Sequence, residues 1–199
     1  MASTTRTFIA VAVPENLGQK LARLQTLLAP EVPGVRWSVA QPFHLALAFL
    51  GDVADTDLND VCGATAAAAA RHEPFELRLE ALGAFPSAAR PRVVWVGATG
   101  PGVEPLGALQ KELVQAVKAA GYPPDDNRFH PHVTLGRVKF GKGRPAELTA
   151  QVKHYQTWSP GSFTVTEAVV FASALSPEGP VYAPLGRAPL GVGKAGAGA

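Results

Sequence analysis

The sequence predicts an α+β fold of two similar lobes, each an antiparallel sheet with helices outside it, facing each other across a central cleft. Three observations carry this expectation. Stretches with strand alternation and stretches with helical periodicity are short and interleaved, and 18 prolines and 20 glycines fall mostly between them. The order strand, helix, later strand occurs twice. Each later strand also begins with a histidine, His44 in HLALAFLG and His132 in HVTLGRV, 88 residues apart, which is about half of the folded chain.

The elements follow in order. RTFIAVAV (6–13) and VRWSV (35–39) alternate as strands, and between them ENLGQKLARLQTLLA (15–29) places Leu17, Leu21, Leu24 and Leu28 on one helical stripe. HLALAFLG (44–51) is the next strand, and the alanine-rich DLNDVCGATAAAAARH (57–72) is a helix that ends near Pro74. The pattern then returns with strands FELRLEALGAF (75–85) and RVVWVGAT (92–99), a helix over 104–121 with Gly121 as its C-terminal cap, and the strand HVTLGRV (132–138). FTVTEAVVFASAL (163–175) and VYAPLG (181–186) supply two last strands across the turn SPEGP. One bilobal domain over residues 1–187 is expected, followed by a flexible Gly/Ala-rich tail over 188–199.

Composition narrows the function. With 18 Lys and Arg against 16 Asp and Glu the net charge is only +2, too small for wrapping duplex nucleic acid, though a local basic pocket is compatible with it. The single cysteine, Cys62, forms no internal disulfide, rules out most zinc frameworks, and fits a reducing, cytoplasmic compartment. The apolar run at Phe8–Val13 is too short for a signal peptide, and no stretch approaches the roughly 18 apolar residues of a membrane span. A soluble protein with no membrane partner is expected.

Alternation decides which side chains the histidines accompany. In a regular strand His44, Ala46, Ala48 and Leu50 share one face, while Leu45, Leu47 and Phe49 take the other and anchor the core. By the same rule His130, His132, Thr134 and Gly136 face one way in HPHVTLGR, opposite Val133 and Leu135. A lone histidine heading a strand is ordinarily a satisfied structural residue. Two at equivalent points of a repeated pattern, each leading an apolar strand, point to a shared purpose, because burying an imidazole is costly. Two opposed imidazoles of ordinary pKa near 6.5 can act as base and acid, which suits in-line attack at phosphorus with hydroxyl or guanidinium donors on the nonbridging oxygens.

These motifs resemble those of the RNA 2′,3′-cyclic phosphodiesterase, or 2′-5′ RNA ligase-like, family of the 2H phosphoesterase superfamily, whose signature is one His-x-Thr-x motif per lobe. His132-Val133-Thr134-Leu135 matches in full; His44-Leu45-Ala46-Leu47 matches in its histidine and the following AFLG but not in its threonine. RTFIAVAVP, PRVVWVG and SALSPEGPVY are also similar, so the resemblance spans roughly residues 6–186 in order. It implies the bilobal 2H phosphoesterase fold and hydrolysis of a 2′,3′-cyclic phosphate at an RNA 3′ end to a 2′-phosphate, with 2′-5′ ligation as the related reverse chemistry. It further implies action without metal or cofactor on RNA 3′ ends or nucleotides that carry the cyclic phosphate; a monomer is expected, though nothing in the sequence fixes the oligomeric state.

By the same resemblance His44 is the general acid and His132 the general base, Thr134 donates to a nonbridging oxygen, and Arg137 lies near the phosphate. In a regular strand Arg137 faces away from Thr134, so the strand must end or bulge near Gly136. Ala46 occupies a phosphate-holding position without the hydroxyl, a loss of about 1–3 kcal/mol if nothing replaces it. Ala46→Thr is then expected to raise kcat/KM unless the gap is already compensated. A noncatalytic RNA-end binding module with a degenerate first motif is the alternative.

Secondary candidates remain open in the sequence. Phe8 shares a strand face with Arg6, Ala10 and Ala12, where it either offers a stacking surface to a terminal base or simply belongs to the core. His130 either contacts substrate or plays a supporting or surface role. Trp37 and Trp95 read as packing residues. His44, His130 and His132 together suggest a three-histidine metal site, but the sequence offers no evident carboxylate or cysteine support for one at either motif, and such a site leaves Thr134 unexplained. The basic run RVKFGKGR (137–144) is either a phosphate-backbone contact or a solvated loop.

Overall fold

The computed structural model describes residues 3–39, 42–124, 129–139, 144–177 and 179–191. Nine strands and four helices follow one another as β1 (Thr4–Ala12), α1 (Glu15–Glu31), β2 (Val35–Trp37), β3 (His44–Ala54), α2 (Leu58–Ala69), β4 (Phe75–Phe85), β5 (Val93–Thr99), α3 (Val103–Ala119), β6 (His132–Val138), α4 (Pro145–His154), β7 (Gly161–Val165), β8 (Glu167–Ser176) and β9 (Gly179–Pro189). Of the tail expected over 188–199, β9 takes in Ala188 and Pro189 and Leu190 is buried, while residues 192–199, and residues 140–143 of the basic run, lie outside the described residues.

All strand pairs are antiparallel, in the order β7-β4-β5-β6-β3-β1-β8-β9, with β2 paired to β6. Among the described residues, the only register pair between the two four-stranded halves is Leu45↔Val133, on the two histidine strands. That single joint lets the sheet fold into two lobes. Both residues are fully buried, and each contributes about 1.5–3 kcal/mol by leaving water, so the joint is also a fixed point of the core.

The helices cross between lobes. Helix α1 leaves β1 of the first lobe yet packs with α4 and β2 against the second, and its Lys20 Nζ donates to the Pro160 carbonyl at 2.7 Å. Helix α3 leaves β5 of the second lobe and packs on β3 and on α2, which itself covers β8 and β9. The stripe Leu17, Leu21, Leu24, Leu28 of α1 is buried as its spacing predicts, and so is Leu106, Leu109, Leu113, Val117 of α3. One continuous core therefore lies under both convex faces, and a small second cluster of Phe8, Ala10, Val169 and Phe171 sits on the concave side of the first lobe.

Three expectations are corrected. The segment 163–175 is not one strand: it divides at Thr166 into β7, which pairs with β4, and β8, which pairs with β1 in the other lobe. The apolar alternation runs on through the crossing, so composition gives no sign of it. Helix α4 was not anticipated, although Pro145 at its start, Glu147 in its first turn and Lys153 and His154 in its last are ordinary end signals; it buries only Leu148, too little to show a stripe. Phe49 does not anchor the core, being 56% exposed. The strand inserts an extra residue between Ala46, which faces Ala10, and Ala48, which faces Ile9, and this bulge turns Phe49 to the concave side.

Candidate active site

The histidine strands repeat one local design. His44–Phe49 and His132–Arg137 carry the same order of half-buried, buried, half-buried, buried, buried and exposed residues. In β6 the irregularity falls between Thr134, paired with Trp95, and Gly136, paired with Val94. It is the break expected near Gly136, and it brings Arg137 onto the same cleft as Thr134. Glycine is required there by close approach: a Cβ would lie 2.7 Å from Val35 Cγ1 and 2.9 Å from the Arg36 carbonyl oxygen. By this equivalence Phe49 of the first lobe stands where Arg137 stands in the second.

Both imidazoles are also held alike. His44 Nδ1 bonds the carbonyl of Pro42 at 3.3 Å, and His132 Nδ1 bonds the carbonyl of His130 at 2.7 Å, each two residues back along its own chain. A carbonyl only accepts, so Nδ1 carries the hydrogen in each ring, and each Nε2 is left to accept or donate a proton. Burial pushes both pKa values below the ordinary imidazole range; the carbonyl bonds oppose this, and the two rings' mutual repulsion lowers His44 further. His132 is also lowered by the charges of His130 and Arg137.

Aromatic rings wall each histidine. Tyr182 meets His44 edge-on with ring centroids 4.9 Å apart at 85°, and Phe85 meets His132 at 4.9 Å and 87°. Phe8 lies beneath His44, 4.9 Å away, and stacks on Phe171 at 5.3 Å. It occupies the concave face as alternation predicts, but it is only 3% exposed and so serves as the floor under His44.

The resulting cleft of about 260 Å³ brings together five of the six expected positions outside Phe8, namely His44, Ala46, His132, Thr134 and Arg137. The sixth, His130, is absent from the cleft wall; its side chain packs beside Phe85 and Trp95, and its main-chain carbonyl holds His132. The cleft also contains residues that sequence reasoning missed: Arg36, Ser38, Val39, Phe49 and Tyr182. Tyr182 lies in the SPEGPVY segment, and burial raises the pKa of its phenol against the opposing charge of Arg137. Among the described residues no three His, Cys, Asp or Glu side chains are grouped to hold a metal ion, and no helix is long and apolar enough to cross a membrane.

A two-lobed antiparallel fold with one Nδ1-anchored histidine per lobe facing a common cleft defines the 2H phosphoesterase class. Within it, the chain belongs to the 2′-5′ RNA ligase superfamily, whose family model matches residues 13–175. Curated relatives include the RNA 2′,3′-cyclic phosphodiesterase of Aeropyrum pernix, 34% identical over 163 residues that cover 82% of this chain and 90% of that protein. That of Methanothermobacter thermautotrophicus is 32% identical over 179 residues, covering 89% and 94%. Among solved structures, TT0787 of Thermus thermophilus superposes with a TM-score of 0.76 at 29% identity, covering 94% of this chain and 99% of that one. Escherichia coli LigT complexed with 3′-AMP gives 0.74 at 26% identity, with coverage of 94% and 99%.

Proposed function

We propose that the protein hydrolyses RNA 2′,3′-cyclic phosphate ends to 2′-phosphates, with His132 as general base and His44 as general acid. The observation that carries this reading is the matched pair of imidazoles, each held at Nδ1 by a carbonyl and with no bond at Nε2 among the described residues, on the two strands that meet at Leu45 and Val133. The family membership and the relatives' names support the substrate class.

A phosphodiester seated between the rings brings one negative charge, which raises the proton affinity of imidazoles that burial has lowered, so the pair takes up a proton as substrate binds. Neutral His132 Nε2 then removes a proton from water as the water oxygen bonds to phosphorus. The bond from phosphorus to the 3′ oxygen breaks, and protonated His44 Nε2 gives its proton to that oxygen, leaving the phosphate on the 2′ oxygen. Thr134 and Arg137 supply donors for the charge that builds on the nonbridging oxygens, with the protonated Tyr182 hydroxyl on the same wall. A 5′-hydroxyl in place of water makes a 2′-5′ linkage by the same steps. The exposed ring of Phe49 offers a base the stacking surface that the covered Phe8 does not.

The test is incubation of the protein, with EDTA present, with an oligonucleotide ending in a 2′,3′-cyclic phosphate, and identification of the product by ³¹P NMR. A 2′-phosphate is expected. Tight binding without turnover indicates a binding module instead, and activity abolished by EDTA and restored by zinc indicates a metal hydrolase.

A further inference from the structure

The second guanidinium in the cleft is unaccounted for by the chemistry above. Arg36 and Arg137 face each other as register partners across β2 and β6, and both line the cleft. Like charges directly opposite on a strand pair are unfavourable, and a cyclic phosphodiester carries a single negative charge, which Arg137 is placed to meet. Both arginines are exposed, and Arg36 Nη2 lies 3.8 Å from where a Cβ on Gly179 would stand. Ser38, Val39 and Pro180 line the same cleft, Val39 Cγ2 also approaches Gly179, 3.4 Å from where its Cβ would stand, and Val39 is 67% exposed. The cleft thus offers more than one terminal phosphate needs: a second positive charge with exposed apolar surface beside it.

Resting on the reading of the cleft as a cyclic phosphodiesterase site, we propose that Arg36 binds the backbone phosphate preceding the terminal nucleoside. Arg36 thereby makes the protein selective for polynucleotide 3′ ends over cyclic mononucleotides. With the cyclic phosphate at the histidines and Arg137, the preceding phosphodiester meets Arg36, and the next base lies along Val39 and Pro180. Guanidinium is suited to this because it pairs with phosphate oxygens while remaining charged at every relevant pH.

The experiment compares kcat/KM for adenosine 2′,3′-cyclic phosphate with that for a diadenylate ending in the same group, in wild type and Arg36→Gln. Wild type should prefer the diadenylate at least about tenfold. The substitution should remove most of that preference, lowering the diadenylate value about tenfold and the mononucleotide value less than threefold. It should also reduce the salt dependence of the diadenylate by about 0.7 in log–log slope, the share of one single-strand phosphate contact. A diadenylate whose internal linkage is an uncharged methylphosphonate should be cleaved by wild type as slowly as the natural one is by Arg36→Gln, with little further loss in the variant. Equal losses on both substrates, or a methylphosphonate substrate as sensitive to Arg36→Gln as the natural one, overturn the inference. If wild type hydrolyses neither substrate the functional reading fails, and titration still decides on Arg36. Weaker binding by Arg36→Gln confined to a diadenylate 3′-phosphate, relative to 3′-AMP, upholds the inference, and an equal change or none overturns it.

Discussion

The side-chain amide of Gln25 donates to the carbonyl of Leu135 at 2.7 Å, and Leu135 is the residue at which β6 bulges. Gln110 does the same for the bulge of β3, donating to the Leu47 carbonyl at 3.3 Å. Gln25 lies on α1 and Gln110 on α3, so each helix leaves one lobe and secures the histidine strand of the other. The bulges decide where Arg137 and Phe49 point, and the glutamines join the outer helices to that choice.

Gln25→Leu removes the amide donor while keeping the apolar bulk, and the Leu135 carbonyl retains the Ser38 N–H at 2.8 Å. A destabilisation of about 1 kcal/mol is expected in urea melts, together with a fall in kcat/KM on the cyclic phosphate as Arg137 loses its fixed direction. Lost stability with unaltered kinetics would show that the bulge holds without the glutamine.

The two lowered imidazole pKa values set the direction of a pH effect on stability. Both histidines bind protons less readily folded than unfolded, so the unfolded chain takes up more protons as pH falls below the ordinary value near 6.5. Stability is therefore full above that value and declines as pH drops through it toward the folded values. Thermal melts between pH 7.5 and pH 5 should show the decline, His44→Gln should lessen it, and inorganic phosphate should offset it by favouring the protonated pair. A melting temperature in His44→Gln with the same acid dependence as wild type would contradict this assignment.

Tyr182 stacks edge-on to His44 and keeps its phenolic proton. Tyr182→Phe preserves the ring and removes only the hydroxyl, so a fall in kcat of about tenfold or more with little change in thermal stability is expected if that hydroxyl stabilises the developing charge. Wild-type kcat in the variant would leave Thr134 and Arg137 as the donors.

Ala46 faces Ala10 and lines the cleft. Ala46→Thr should raise kcat/KM on a 2′,3′-cyclic phosphate, up to about tenfold for the gain of one donor. An unchanged value would mean that the phosphate oxygens are already satisfied, with Ser38 and Tyr182 the further hydroxyls on that wall.

Much of this was legible in the sequence because it depends on period and motif. The apolar stripes of α1 and α3 and the alternation at the head of each histidine strand are local signals, and the alternation puts His44, Ala46, His132 and Thr134 on the strand faces that line the cleft. Gly136 signalled the bend that brings Arg137 round. The matching bulge in β3 carries no glycine at Ala48, so Phe49 read as a core residue. Arg36 reaches the cleft through the distant pairing of β2 with β6, and Tyr182 because the β8–β9 hairpin is carried to β1 by the distant pairing of β1 with β8, so nothing local marks them. The division of 163–175 between lobes was hidden for the same reason.

The central claim is that His44 supplies the proton to the departing 3′ oxygen while His132 takes one from water. It is tested most directly with a substrate in which the 3′ bridging oxygen is replaced by sulfur, a leaving group that needs no proton. His44→Ala and His132→Ala should each lower kcat on the natural cyclic phosphate by about 10²–10⁴-fold. On the thio substrate His44→Ala should recover most of its loss and His132→Ala none. Recovery by His132→Ala alone, or by neither variant, would contradict the account.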